Sequence, residues 1–313
     1  MFFKLLFPKV LTLFLLMIPG IIMKKAKLIN DGSAKTLSNI LLYITTPAMI
    51  VVGFIRPFDS EVLECLIAVA VFSIILHPLF MLIASIALKR VSDEGRRRMM
   101  TFAVTFSNAG YMGMPLIVAT LGDEAVIYSA VFLAIFNIYL WSLGYFIVTG
   151  EKRYISLKKA FLNVATISTL VGSLLFFTPV DSYVPAPIVD VLEMLKDCVA
   201  PLSMILVGFR IGERGLFRDF FNKWYSYVTL AIRLIVCPIA IWGIIKLIGL
   251  AGIYWNDTVT AVILISASTP CATASSMLAE KFDHSPTYVG KVVAFSTAVS
   301  LLTMPLLSLL LDL

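Results

Sequence analysis

Asn108-Ala109-Gly110-Tyr111-Met112-Gly113-Met114-Pro115 stands near the middle of an apolar run over 98–120. A run of that length is what a membrane-crossing helix needs. About 20 mostly apolar residues cover a hydrocarbon core about 30 Å thick, at about 1.5 Å of rise per residue. This run, however, carries two glycines, a proline and a carboxamide at its centre. Glycine and proline free backbone N–H and C=O groups, and in hydrocarbon each unsatisfied group costs several kcal/mol. Broken backbone is tolerated there only inside protein or beside a wet cavity. The stretch therefore predicts a transmembrane helix interrupted at its midpoint.

The composition of the rest supplies the membrane. Of 313 residues 60% are hydrophobic and 14% are charged, with a mean hydropathy of +0.97. A soluble domain carries about 25% charged residues. Too few are present here to cover a water-soluble body, which excludes a soluble enzyme, a disordered chain and a nucleic-acid binder. The net charge of +6 would suggest nucleic acid only if the basic residues shared a soluble face, and they sit instead between apolar runs. Four cysteines without a CxxC pair exclude a disulfide framework or a zinc ribbon.

Apolar runs recur at 3–23, 36–55, 63–88, 98–120, 125–149, 159–179, 187–209, 224–249, 257–279 and 288–311. They predict an all-α integral membrane protein of ten transmembrane helices. The first run does not read as a signal peptide, because Pro19-Gly20 and Lys24, Lys25 and Lys27 follow it without a small-x-small cleavage site. Nineteen lysines and arginines fall in the segments after spans 1, 3, 5, 7 and 9, among them Arg214 and Arg218, against four on the opposite side. The positive-inside rule puts the nineteen in the cytoplasm and both termini outside a multi-pass protein of the cell (plasma) membrane. The segments near 93 and 155 are then cytoplasmic, and those near 59, 123 and 183 external.

The chain overlays on itself. Pro47-Ala48-Met49-Ile50-Val51-Val52-Gly53-Phe54 in span 2 matches Pro201-Leu202-Ser203-Met204-Ile205-Leu206-Val207-Gly208-Phe209 in span 7, with one gap. His77-Pro78 in span 3 matches Cys237-Pro238 in span 8. Asn108 to Pro115 in span 4 matches Ser266-Ala267-Ser268-Thr269-Pro270-Cys271-Ala272-Thr273 in span 9. Two five-helix repeats follow, at 1–150 and 151–313, forming one integrated membrane domain. Because five is odd, the second repeat is inverted, a recurrent plan among transporters.

Glycine and proline also merely kink and pack membrane helices. Two interruptions in register, flanked by polar residues, point instead to a central binding site. The expected substrate-binding residues are Ser107, Asn108, Gly110, Tyr111 and Pro115 in span 4, with Ser268, Thr269, Pro270 and Thr273 in span 9. Half-helix N-termini carry about +0.5 charge and free N–H donors, which suits an anion. Met112, Met114 and Met277 read as packing.

With these motifs in place, the whole chain resembles the auxin efflux carrier family, which includes plant PIN-type exporters and bacterial permeases. The resemblance rests on Asn108 to Pro115, on Ala200-Pro201-Leu202 with Gly208, on residues 266–273, and on Leu301-Leu302-Thr303-Met304-Pro305-Leu306. It implies ten helices in two inverted repeats, with broken helices 4 and 9 crossing at their unwound centres. Spans 1, 2, 6 and 7 would form a scaffold, and the remainder a transport domain that moves like an elevator. Known members move small organic anions such as auxin, malate or malonate. Only a short Glu151-Lys152-Arg153 segment joins the halves, where many plant members carry a long polar loop. That favours a compact bacterial-type permease.

Two ionisable residues lie inside spans. Arg233 is expected either to hold a carboxylate or to pair with carbonyls freed by Pro238. His77 is expected either to couple protons or to pack as a neutral ring. No acidic relay lies at midplane, so H⁺ or Na⁺ coupling stays open, with Asn108 and freed carbonyls as candidate Na⁺ ligands. No catalytic group, metal site or cofactor is expected. The expected partners are a small organic anion, the lipid bilayer and a second protomer in a homodimer, and no nucleic acid. A channel for a small solute is the alternative function, followed by an intramembrane enzyme. Against the enzyme, the sequence has no HExxH or GxSxG motif and only two histidines, His77 and His284.

Overall fold

The computed structural model describes residues 2–28, 30–178, 184–212, 223–250, 252 and 255–311. Arg214, Arg218 and position 183, used above for orientation, lie outside the described residues. Among the described residues the chain is all-helical, and its extended pairing is one antiparallel bridge between Ser107 and Cys271.

Helix α1 runs Phe2–Lys25. Helix α2 (Asp31–Ile40) passes through a π-turn at Leu41–Thr45 into α3 (Thr46–Gly53), and α4 spans Ser60–Ala87. Helix α5 (Glu94–Thr105) stops short, and the chain restarts through a π-turn at Ala109–Gly113 into α6 (Met114–Leu121). Helix α7 (Val126–Tyr139) continues through Leu140–Gly144 into α8 (Tyr145–Thr149). The second half holds α9 (Leu157–Phe161), α10 (Val164–Phe177), α11 (Ala186–Asp197) and α12 (Val199–Ile211). Helix α13 (Trp224–Ala231) joins α14 (Cys237–Leu250) through a π-turn at Ile232–Val236. Helix α15 (Asp257–Ser268) is followed by α16 (Ala274–Phe282) and α17 (Pro286–Leu307).

The expected spans fall mainly in helix, and among the described residues six continuous helical stretches are long and apolar enough to cross a membrane. The others are shorter or interrupted. The run 159–179, expected as one helix, breaks where Asn163 accepts from Thr166 N–H and so caps α10. The run 187–209 is interrupted at Cys198.

Proline explains much of the irregular backbone. Three π-turns end two residues before a proline, at Pro47, Pro115 and Pro238. Proline has no N–H, and its ring collides with the carbonyl four residues back, so the preceding turn widens. In α4 the same effect frees the Ile74 carbonyl opposite Pro78, and the Tyr139 hydroxyl of α7 donates to it at 3.0 Å.

Small residues set the helix seams. At Gly20 of α1 a Cβ would strike the Ile205 carbonyl, and at Gly208 of α12 it would strike the Met17 backbone. Backbone therefore lies on backbone along α1 and α12, the close approach that glycine permits between membrane helices. At Gly172 of α10 a Cβ would strike the Phe54 ring at the end of α3. Phe72, Phe102, Phe106 and Phe132 fill the centre, while Leu15 (55% exposed), Ile67 (56%) and Leu174 (67%) face outward. Apolar side chains on the outside suit contact with lipid, as expected of a multi-pass membrane protein.

Candidate functional site

The site begins where α5 and α15 stop. Asn108 N–H donates to the Pro270 carbonyl at 2.8 Å, and Ala272 N–H donates to the Phe106 carbonyl at 3.0 Å. With the Ser107–Cys271 bridge, the two broken segments run antiparallel across each other. Pro270 ends α15 because it has no N–H to continue the ladder. The Ser266 carbonyl that it leaves receives the Thr269 hydroxyl at 2.9 Å. Gly113 keeps the approach close, since a Cβ there would come within 3.2 Å of Thr269 Cγ2.

The crossing diverts donors from both helices. In a continuous helix Asn108 N–H would close on Val104, and Cys271 N–H on Ala267. The first goes to Pro270 instead, and the second to Ser296 Oγ at 3.1 Å. Arg233 fills the deficit. Its Nη1 donates to Val104 O at 2.9 Å, its Nε to Thr269 O at 3.0 Å, and its Nη2 to Ala267 O. The side chain is fully buried, with its guanidinium 5.3 Å from the Phe80 ring centroid. One expectation for Arg233 is thereby corrected. It does meet freed carbonyls, but they belong to α5 and α15 rather than to its own helix at Pro238.

Beyond the crossing lie two donors without partners. Asn108 is 3% exposed, and its carboxamide Nδ2 is buried with no hydrogen-bond partner. Its backbone carbonyl accepts from Met112 and Gly113 N–H at 3.0 and 3.1 Å, which opens the wide turn. Ser275 Oγ, in the first turn of α16, is likewise buried and unpartnered. A buried unpaired donor costs about 1–3 kcal/mol. Both donors stand at the starts of the second half-helices, the positive ends of their dipoles. Ser275 and Ser296 were missed in the sequence. The Ser275-Ser276 pair just after Thr273 was the signal for the first, while nothing local marks Ser296.

A cavity of about 930 Å³ reaches Tyr111 and Thr273 between Lys24, Lys35, Ser38 and Arg210. A second lobe of about 320 Å³ continues past Thr273 toward Ser276 and Lys291. Arg210, Thr273 and Glu280 border both lobes. Tyr111 presents its hydroxyl to Ser38 Oγ at 3.1 Å. At the opposite end of the molecule, a cavity of about 710 Å³ lies among Arg56, Asp59, Asp123, Glu124 and Glu193. There Lys196 of α11 bonds Asp123, beyond α6, at 2.8 Å, and its side chain is only 9% exposed.

The crossing thus joins Ser107, Asn108, Ser268, Thr269 and Pro270. Gly110 and Tyr111 follow in the turn, and Thr273 lines the cavity. Three expected residues sit differently. The hydroxyls of Ser268 and Thr269 donate to Leu264 and Ser266 within α15, and Pro115 is buried in the first turn of α6. His77 lies in aromatic packing: Nδ1 donates to the Ser73 carbonyl at 2.7 Å and the ring stacks on Tyr139 at 5.0 Å. Phe106, Phe132 and Phe136 complete its surroundings.

Residues 5–308 match the family described as Membrane transport protein. An uncharacterized transporter of Methanothermobacter thermautotrophicus is 24% identical over 305 residues, covering 96% of this chain and 97% of its own. An uncharacterized transporter of Methanocaldococcus jannaschii is 25% identical over 308 residues, covering 95% and 96%. Both relatives are archaeal, whereas the sequence resemblance was to a bacterial type.

Proposed function

The chain belongs to the membrane transport protein family, the auxin efflux carrier group that its motifs resemble, and we propose that it is a secondary carrier of small organic anions working by alternating access. The observation that carries this reading is the Asn108 carboxamide, buried and unpartnered at the crossing of two broken helices. Two half-helix N-termini and a cavity lining in which Lys24, Lys35, Arg210 and Lys291 outnumber Glu280 favour an anion over a cation.

The proposed architecture is ten spans in two inverted repeats, at 1–150 and 151–313. Its support is a pairing that the overlay demands. If span 1 corresponds to span 6 and span 2 to span 7, the seam of α1 on α12 must recur as α10 on α3, and tight glycine contacts lie at both. Likewise α4 packs on α5 as α14 packs on α15. Both termini then face outward from the cell membrane, and the Tyr111–Thr273 cavity opens to the cytoplasm. The Lys196–Asp123 pair joins the proposed scaffold to the crossover helix on the outer side. An elevator motion of the crossover past α3 and α12 would separate that pair and expose the site outward.

Counterflow in proteoliposomes tests the reading. Vesicles preloaded with individual mono- and dicarboxylates should show saturable, trans-stimulated uptake of at least one labelled acid. Flux that rises linearly with concentration, without trans-stimulation, would indicate a channel and refute the carrier.

A further inference from the structure

We propose that Arg233 is a tethered cation, holding at the crossover the place that an exchangeable Na⁺ would otherwise take. The inference rests on the crossover reading and concerns what fills its negative end. Two half-helices, α5 and α15, direct their C-termini at one point. Each C-terminus carries about −0.5 charge, so roughly one negative unit converges there. Three carbonyls, those of Val104, Ala267 and Thr269, have lost helical donors and face inward. Carbonyls and half-helix C-termini at midplane are the groups with which broken-helix transporters bind Na⁺ or H⁺.

In this chain those carbonyls are already taken. One guanidinium, with a single positive charge, donates to all three. It is fully buried, and among the described residues no carboxylate pairs with it. A buried unpaired arginine would cost heavily, and here the helix ends are its counter-charge. Its planar fork reaches oxygens on two separate helices, which a lysine ammonium cannot match in the same geometry. The wide turn at Ile232–Val236, ahead of Pro238, carries it. The cation travels with the crossover, so its charge is fixed through the cycle and no ion gradient acts through this point.

The test uses the purified full-length protein in detergent and needs no substrate. Thermal unfolding midpoints are compared in NaCl and in choline chloride at equal ionic strength. The wild type should give the same midpoint in both. Arg233→Gly should unfold lower by roughly 5 °C or more, and low-millimolar guanidinium, but not tetramethylammonium, should restore part of the loss. Arg233→Lys keeps the charge and serves if the glycine variant does not fold. Its midpoint should fall below that of the wild type and should stay indifferent to Na⁺. The proposal is overturned by a Na⁺-specific rise in the wild type, by an Arg233→Gly protein with the wild-type midpoint or no response to guanidinium, or by an Arg233→Lys protein as stable as wild type. Failure of the carrier reading would appear separately, in the counterflow assay.

Discussion

Asn108 and Pro270, 162 positions apart in the chain, meet backbone to backbone, with the Asn108 N–H on the Pro270 carbonyl at 2.8 Å. Pro270 itself ends α15, while that bond takes the next donor of α5. It denies Val104 its helical donor and leaves the Asn108 side chain beside the start of the next half-helix. Both the proposed anion-facing side and the arginine-filled side of the crossing follow from it.

Asn108→Ala separates function from stability. The amide it removes has no protein partner, so the thermal midpoint should hold or rise. Transport should fall at least about tenfold, about 1.4 kcal/mol in the barrier. The two are read on the same preparation, by unfolding and by counterflow. Full transport in Asn108→Ala would remove this residue from the site.

Pro270→Ala restores an N–H at position 270, which lets α15 extend through the crossing. Transport should drop while the protein stays in the membrane, as judged by flux against immunoblotted membrane protein. Equal flux in variant and wild type would mean that the break in α15 is not needed.

Gly208→Val tests the seam of α1 on α12. Any Cβ at 208 meets the Met17 backbone, which has no flexible end to yield. Overpacking of this kind costs about 1–3 kcal/mol and occasionally more. The thermal midpoint should fall well below that of Gly243→Val, because a Cβ at Gly243 meets nothing within 4 Å. Equal midpoints would refute the close seam.

The apolar, all-helical character was legible because apolar runs of about 20 residues have few other uses, and the two breaks because glycine and proline interrupt such runs. What surrounds the breaks was not. Arg233 reaches 129 positions to Val104 and 34 to Ala267, distances over which local sequence says nothing about contact. Beside Pro238 it looked like a local cap. His77 offered a titratable ring, yet its use is fixed by aromatic residues on α5 and α7 that only folding assembles. The hydroxyls of Ser268 and Thr269 looked available, but each bonds a carbonyl within its own helix, as hydroxyls in membrane helices often do.

A zero-length carbodiimide cross-link, an amide between the Lys196 amine and the Asp123 carboxylate, should hold the outer end shut. The two charged ends are 2.8 Å apart, one on the proposed scaffold and one beyond the crossover helix. Turnover should stop in the cross-linked protein and persist in carbodiimide-treated Asp123→Asn. Unchanged turnover in the cross-linked protein would show that these two elements never separate.

Alternating access at the crossing is tested most directly at Thr273, which borders both lobes of the basic cavity. Thr273→Cys, in the background without native cysteines, is exposed to a membrane-impermeant thiol reagent in right-side-out and inside-out vesicles. The account predicts modification from both faces, with modification from the outer face abolished once the Asp123–Lys196 amide cross-link is also formed and modification from the cytoplasmic face retained. Modification from one face only in the uncross-linked protein would contradict alternating access at this site.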